Sequence, residues 1–354
     1  MITSSMLNNL KDCSIVVMPD FFIDRIVKLK SPTKDVFKVI QEKEKFGGGS
    51  IRDISSLDTR GGNAVNIAYC LAKLGVRVKL FTIANEIGEA VLRKIFSKFE
   101  NDSVNLQIAS GKHGHTTALE FIGEFGSKVN IMLNDVGDIA NFGPERIDHE
   151  HGRQILKNAD AVILVNWGSN LRGSELVEYA FEQSPNSYHC IDPADMDARR
   201  FEFKDTLTRI SNITNSLNIN ENECNSLLNA LGLDSHKISE LKFRDGDSEN
   251  VLKKAALEIA NKLNIKSNIH TRIGAAWSDG EETFFVPSFK VEPRTLTGAG
   301  DSWDSANIIA HIAGLDKEQR LIFSNAYAAL YVANPISEPA TLDETIGFID
   351  KNRP

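Results

Sequence analysis

Short runs of β-branched and apolar residues alternate along this chain with longer stretches whose apolar positions recur every three to four residues. Ser14 to Met18 predicts a first strand, and Ala64 to Leu74 a helix with Val65, Ala68, Leu71 and Ala72 on one face and Gly75 as its stop. Strand Val76 to Thr82 and helix Ile87 to Phe99 come next. They are followed by strand Ala161 to Val165, helix Ser174 to Glu182, strands Tyr188 to Ile191 and Ile213 to Leu217, and helix Glu221 to Leu231. The last third predicts helix Val251 to Leu263, strand Ser267 to Thr271, and two helices near Asp301 to Ala313 and Lys317 to Val332. Strands that alternate with helices in this way predict an α/β fold, a three-layer α/β/α arrangement around a doubly wound, mainly parallel sheet.

Two segments break the rhythm. Phe22 to Ile54 reads as strand-like pieces around Gly47-Gly48-Gly49, and Thr116 to Leu133 as two strands around Gly123 to Gly126, with no helix expected in either. Strands that lack crossover helices do not readily join a parallel sheet, so these pieces are expected to pair with each other as a small antiparallel lid. The expected organisation is one α/β domain over 1–354, with lid segments at about 22–54 and 116–133. A lid would exclude water from a site beneath it.

Composition narrows the classes of partner. Of 354 residues, 40 are basic and 48 acidic, a net charge of −8 with no basic cluster, which gives nucleic acid no electrostatic footprint. Apolar runs are of strand length, far below the roughly 20 residues of a membrane helix, and no export signal is visible at the N-terminus. Cys13, Cys70, Cys190 and Cys224 are scattered with no CxxC pair, which fits a reducing cytoplasm. Small molecules are the expected partners.

Three stretches carry candidate chemistry, each opening a predicted helix. In Thr297-Gly298-Ala299-Gly300-Asp301, small residues let backbone amides converge at a helix N-terminus, a setting suited to a phosphoryl group, and Asp301 stands where a general base would be wanted. An ordinary N-cap is the structural alternative. In Gly61-Gly62-Asn63-Ala64-Val65-Asn66, two glycines allow close approach of a ligand, and Asn66 projects an amide that could grip a hydroxyl. A loop and helix start would read the same way. In Asn220-Glu221-Asn222-Glu223, the amide and carboxylate three apart match a capping box, and equally suit ordering water around magnesium.

Together these motifs, in this order, resemble the ribokinase-like, or PfkB, carbohydrate kinases over nearly the full chain. The resemblance implies that Gly61, Gly62 and Asn66 contact the acceptor, that Asn220 and Glu223 organise magnesium and phosphate, and that Gly298, Ala299 and Gly300 form an anion hole beside the catalytic base Asp301. Val286 to Val291 resembles the family's lead-in to the last motif, and Ile191-Asp192-Pro193 its Asp-Pro strand end. Asp24 looks like the aspartate that binds substrate hydroxyls, and Gly274 and Asn325 are implied to lie near the nucleotide. The implied activity is ATP-dependent transfer of the γ-phosphoryl group to a hydroxyl of a small sugar, with Mg2+ and no direct protein-bound metal. A nucleoside kinase of the same family, or an inactive relative that binds a sugar or nucleoside, is the alternative reading. Pairing of lid strands would give a homodimer.

Some positions depart from the family pattern. Thr295-Leu296 replaces the usual Asp-Thr and removes a carboxylate associated with a monovalent cation in some members, which argues against potassium activation. Arg272 stands where a phosphate-contacting Thr is common, and Asp304 adds a carboxylate one turn after Asp301, for which a solvated surface position is expected over a role in substrate choice. The pairs His113/His115 and His149/His151 sit in polar, turn-rich stretches and are expected as exposed loop histidines, not metal ligands. A dinucleotide-dependent oxidoreductase fits poorly, because neither a GxGxxG after the first strand nor a P-loop is present.

Overall fold

A computed structural model of the chain describes residue 2 and residues 10–99, 103–123, 128–233 and 247–352. In chain order its elements are β1 (Ser14–Met18), β2 (Phe22–Pro32), α1 (Thr33–Lys45), β3 (Ser55–Gly61), α2 (Asn63–Lys73), β4 (Arg77–Ala84), α3 (Glu86–Phe96) and β5 (Val104–Ser110). Next come β6 (Gly114–Ile122), β7 (Lys128–Asp135), α4 (Glu150–Lys157), β8 (Ala161–Val165), α5 (Gly173–Glu182), β9 (Tyr188–Asp192), α6 (Arg200–Ile210) and β10 (Ser216–Asn220). The chain closes with α7 (Glu221–Ala230), α8 (Ser248–Leu263), β11 (Lys266–His270), β12 (Gly274–Ser278), β13 (Thr283–Pro287), α9 (Ala299–Ile312), α10 (Lys317–Ala333) and α11 (Leu342–Lys351).

Nine strands form the large sheet in the order β13-β12-β11-β10-β9-β8-β1-β4-β5. Strands β11 to β5 of that order are parallel, and β12 and β13 add an antiparallel edge. Side chains alternate along each parallel strand, so both faces must be covered: Val16 and Met18 of β1 enter one apolar core, Ile15 and Val17 the other, and all four are fully buried. Helices α4 to α8 cover the first face, and α2, α3, α9, α10 and α11 the second. The doubly wound α/β fold expected from the alternation is therefore present. Strand β1 is the switch point, with β4 on one side and β8 on the other, and ligand crevices in such sheets lie beyond the strand C-termini at that point.

The small sheet, β3-β2-β6-β7, departs from expectation in three ways. The two inserted segments meet through β2 and β6 in parallel register, from Phe22 opposite Gly114 to Lys28 opposite Glu120; antiparallel pairing occurs within each segment, β2 with β3 and β6 with β7. Its strand β3 lies just beyond the expected lid boundary at 54. Between β2 and β3 stands α1, a 13-residue helix where none was expected, rich in Lys and Glu and with no buried residue. The Gly47 to Gly49 tract is the turn after α1, and residues 124–127 of the expected second turn lie outside the described residues. One core strand is also displaced: it spans Ser216–Asn220, and Ile213 to Asn215 precede it.

Candidate active site

The C-terminal ends of β1, β8, β9, β10 and β11 open on one side of the large sheet and deliver Asp20, Asn166, Asp192, Asn220 and His270 to it. Helix α2 begins there after Gly62, whose φ of 91° and close backbone neighbours exclude a side chain: a Cβ would meet the Asp20 carbonyl oxygen and the Phe21 Cα at 2.9 Å. No side chain of its own caps this helix. Instead Asp20 accepts the backbone amides of Asn63 (2.9 Å) and Ala64 (2.8 Å), and its outer oxygen also takes the Asn166 side-chain amide at 2.9 Å. That buried carboxylate sets the direction of the helix and with it the side chains of Asn63 and Asn66.

Those two amides converge on Asp301. Asn63 Nδ2 donates to Oδ1 at 2.9 Å and Asn66 Nδ2 to Oδ2 at 2.8 Å, across more than 230 positions of sequence. Asp301 is in the first turn of α9, 5% exposed, and burial lifts its carboxyl well above the ordinary carboxylate range, reinforced by the charges of Asp192 and Asp20. Each carboxylate oxygen holds one amide proton and keeps a lone pair for a further donor. Asn63, assigned no role from sequence, completes the clamp; its side chain shows no motif beyond its place in the turn.

Helix α9 starts at Gly298, in the left-handed region at φ 84°, where a Cβ would come within 2.5 Å of the Tyr331 hydroxyl. The Ala299 amide donates to the Leu296 carbonyl at 3.2 Å, and no side chain caps this end among the described residues. The amides of Gly300 and Asp301 thus stand at an uncapped helix N-terminus, where the aligned peptide dipoles favour an anion. A Cβ on Gly300 would sit 3.1 Å from the His270 ring.

On the small sheet, Asp24 lies against Gly61, where any side chain would strike its carboxylate at 2.3 Å. Burial, opposed by the Thr116 hydroxyl and aided by Asp20, pushes the Asp24 carboxyl up to about 6. Asn220 and Glu223 realise the capping box: Asn220 Oδ1 accepts the amides of Asn222 (2.8 Å) and Glu223 (3.1 Å), and Glu223 accepts the Asn220 amide at 2.8 Å. Glu223 is nonetheless buried, and burial together with Asp192 raises its carboxyl well above the usual range.

Gly274 opens β12, where a Cβ would strike Phe285 and the Val286 carbonyl at 2.5 Å. Asn325 is spent on the protein: it accepts from Trp303 Nε1 at 2.8 Å and donates to the carbonyls of Val286 (2.9 Å) and Pro287 (3.2 Å). It ties α9 and α10 to β13 with no free amide atom.

Two surface expectations are corrected. Asp304 is fully buried: helix α9 is packed on all sides, so its second turn points into strand ends where Asn218 Nδ2 donates to Asp304 Oδ1 at 2.9 Å. Burial and Asp192 raise its carboxyl strongly. His113 is 1% exposed and stacked on Phe21 at 5.2 Å, whereas His115, at the start of β6, and His149 and His151 are exposed. His149 caps α4 through its Nδ1. No group of three or more His, Cys, Asp or Glu side chains among the described residues is arranged to hold a metal directly. None of the described helices is long and apolar enough to cross a membrane.

The model of the pfkB family of carbohydrate kinases matches residues 36–339. A ribokinase of Bacillus subtilis (strain 168) is 41% identical over 61 residues, a stretch that is 17% of this chain and 21% of that protein. Among solved structures, ribokinase from Thermotoga maritima superposes with a TM-score of 0.68 at 21% identity, covering 96% of this chain and 99% of that one. Arabidopsis thaliana ribokinase complexed with ribose and ATP gives 0.68 at 19% identity, covering 95% and 98%. These likenesses establish the fold, and the family model, matched over most of the chain, establishes the lineage: this protein belongs to the pfkB family of carbohydrate kinases, phosphotransferases that act on an alcohol group.

Proposed function

We propose that the protein transfers the γ-phosphoryl group of ATP to a hydroxyl of a small sugar, with Asp301 as the general base. The observation that carries this reading is the Asp301 carboxylate, buried, clamped by Asn63 and Asn66, and set in the first turn of an uncapped helix. The acceptor oxygen attacks the γ-phosphorus as the bond to the β,γ-bridging oxygen breaks. ADP leaves with that electron pair, and the acceptor's proton passes to Asp301. The raised proton affinity of Asp301 suits it to take that proton. Backbone amides at 298–301 would steady charge on the phosphoryl oxygens, with Gly300 and Asp301 the free donors of the first turn. Asp24, beside the bare backbone of Gly61 and Gly62, would accept from acceptor hydroxyls, and Asn66 would serve the acceptor by aiming the base.

The donor set fits a magnesium ion held through water and phosphate oxygens: Asp192 and Glu223 are carboxylates raised by burial, and the charge of Asp192 raises Glu223 further, a repulsion that a cation would relieve. When bound, Mg2+ supplies positive charge to the nucleotide phosphates. Asn220 and Glu223, locked together, would orient its water shell, and Gly274 and Asn325 would shape the nucleotide end, the latter through Trp303 and β13.

The test is ADP formation by the full chain with Mg2+ and ATP against a panel of sugars and nucleosides, with mass spectrometry of the product. A sugar phosphate formed one for one with ADP is expected. Acceptor-independent ATP hydrolysis alone, or phosphorylation confined to nucleosides, would overturn the reading.

A further inference from the structure

At the end of the large sheet remote from the candidate active site lies a cavity of about 440 Å³. Lys266, the first residue of β11, lines it, whereas His270, the last, reaches the candidate active site, so the two sites are separated by roughly 13 Å of strand. Its walls are apolar and aromatic, from Trp277, Phe284 and Leu315. Its volume is within the range of small-ligand pockets.

The notable lining residue is Arg320. It is 4% exposed, and among the described residues no carboxylate lies within ion-pair distance of its guanidinium. Its Nε has no acceptor, and the indole N–H of Trp277, 3% exposed, has none either. A buried cation without an anion is costly, and the cavity is where an anion could reach it. Lys317, by contrast, is already satisfied by Glu282 and Asp279. Of the acids on the rim, Asp316 caps α10 by accepting the Gln319 amide at 2.9 Å, and Glu318 is exposed.

From Arg320 a chain of buried donors runs back through the sheet, doubled at one step by the Ser216 hydroxyl, which accepts from Asn268 Nδ2 at 2.7 Å and donates to Asn218 Oδ1 at 3.0 Å. Arg320 Nη2 donates to Asn268 Oδ1 at 3.3 Å, Asn268 Nδ2 to Asn218 Oδ1 at 2.9 Å, and Asn218 Nδ2 to Asp304 Oδ1 at 2.9 Å. Asn268, Asn218 and Asp304 are all fully buried. Every bond points the same way, from a cation at one end to a carboxylate one helical turn from Asp301 at the other, and such aligned bonds polarise one another. Apolar residues would fill these sheet positions without needing partners, so the fold does not require the chain.

We propose that the cavity binds a small organic oxyanion, a carboxylate or phosphate monoester with an apolar body, whose anionic group pairs with Arg320 and whose presence is relayed by Asn268 and Asn218 to Asp304. An anion at Arg320 would draw the guanidinium's field away from the asparagine chain and so alter the support that Asp304 receives. Coupling of this kind is reciprocal between the two sites.

Calorimetric titration of the substrate-free full chain with phenyl phosphate and with benzoate tests the binding arm and separates the two head groups. At least one probe is expected to bind the wild type and Asp301→Asn alike, and to bind Arg320→Gln at least about tenfold more weakly. The exposed Lys266→Ala and the ring-preserving Trp277→Phe, which report even if Arg320→Gln does not fold, should also weaken it. No binding of either probe, equal binding to all the cavity variants, or loss of binding in Asp301→Asn would overturn the proposal. The relay arm rests on the kinase reading, which the binding arm does not: the bound probe should change kcat/KM in the wild type by about fivefold or more and leave Asn268→Leu, of similar volume, unresponsive. A probe that binds without altering wild-type turnover overturns the relay.

Discussion

Asp301 has been removed from water without being given a cation, and this sets how it titrates. Its carboxyl is raised by burial and by Asp192 and Asp20, so the acid limb of kcat/KM should lie above the ordinary carboxylate range near 4, with activity falling as pH drops through that raised value. Asp304 is itself raised by burial, by Asp192 and by Asp301. Asp304→Asn keeps an acceptor for Asn218 but cannot ionise, whereas Asp192→Asn, which removes the largest like charge acting on Asp301, should move the acid limb to lower pH. A carboxyl whose folded-state pKa is raised stabilises the fold below the ordinary carboxylate range and loses that contribution as pH rises through the raised value. The melting temperature of Asp304→Asn, relative to the wild type, should therefore increase between pH 5 and pH 8 in scanning calorimetry; a constant or falling difference would mean Asp304 is ionised and stabilised in the fold. Gly62→Ala should cost about 1–3 kcal/mol in chemical denaturation, because its φ of 91° and the Asp20 and Phe21 backbone leave no room for a methyl group.

Helix α7 shows how one element can carry structure and chemistry together. Its capping box is complete, yet Glu223 is buried beside Asp192, which an ordinary surface cap would not be. Glu223→Gln can still accept the Asn220 amide, so its melting temperature should stay within a few degrees of the wild type while the Mg2+ concentration for half-maximal rate rises several-fold. An unchanged Mg2+ requirement would reduce Glu223 to a cap. The buried parallel strands were legible in the sequence because both faces are apolar: Ser14–Met18 and Ala161–Val165 coincide with the expected runs. Strand β10 begins three residues later than its apolar run implies, since Asn218 is polar and buried by partners that no local pattern reveals, and Asn220 is polar and half-buried. Helix α1 carries an apolar stripe, Val36, Val39 and Ile40 at helical spacing, yet buries none of it, and it lies inside a segment whose flanking strands and glycine tract read as extended. The parallel pairing of β2 with β6 joins segments about 90 residues apart, a choice that period-2 patterning does not encode.

At the level of the whole molecule, what the sequence held was the order of three glycine- or asparagine-bearing helix starts, and what it lacked was the clamp that joins two of them. Asn63 and Asn66 reach Asp301 only because α2 and α9 pack side by side on one face of the sheet. The small sheet grows from both ends of this site, from Phe22 after Asp20 and from Gly61 before Asn63. It also leaves Ile131 and Leu133 on one face, and Leu57 and Met132 on the other, between 41% and 56% exposed, apolar positions near its two edges that pairing with a second copy would cover. Light scattering is expected to return twice the mass of the chain, and a monomer at micromolar concentration would argue that these positions stay open. The most direct measurement is single-turnover phosphoryl transfer by Asp301→Asn on the best acceptor of the panel. Loss of about 10²–10⁴-fold in rate, with acceptor affinity nearly unchanged, is predicted for a general base; the substituted carboxamide keeps one acceptor oxygen for the two clamp amides of Asn63 and Asn66. Transfer at the wild-type rate would contradict the account.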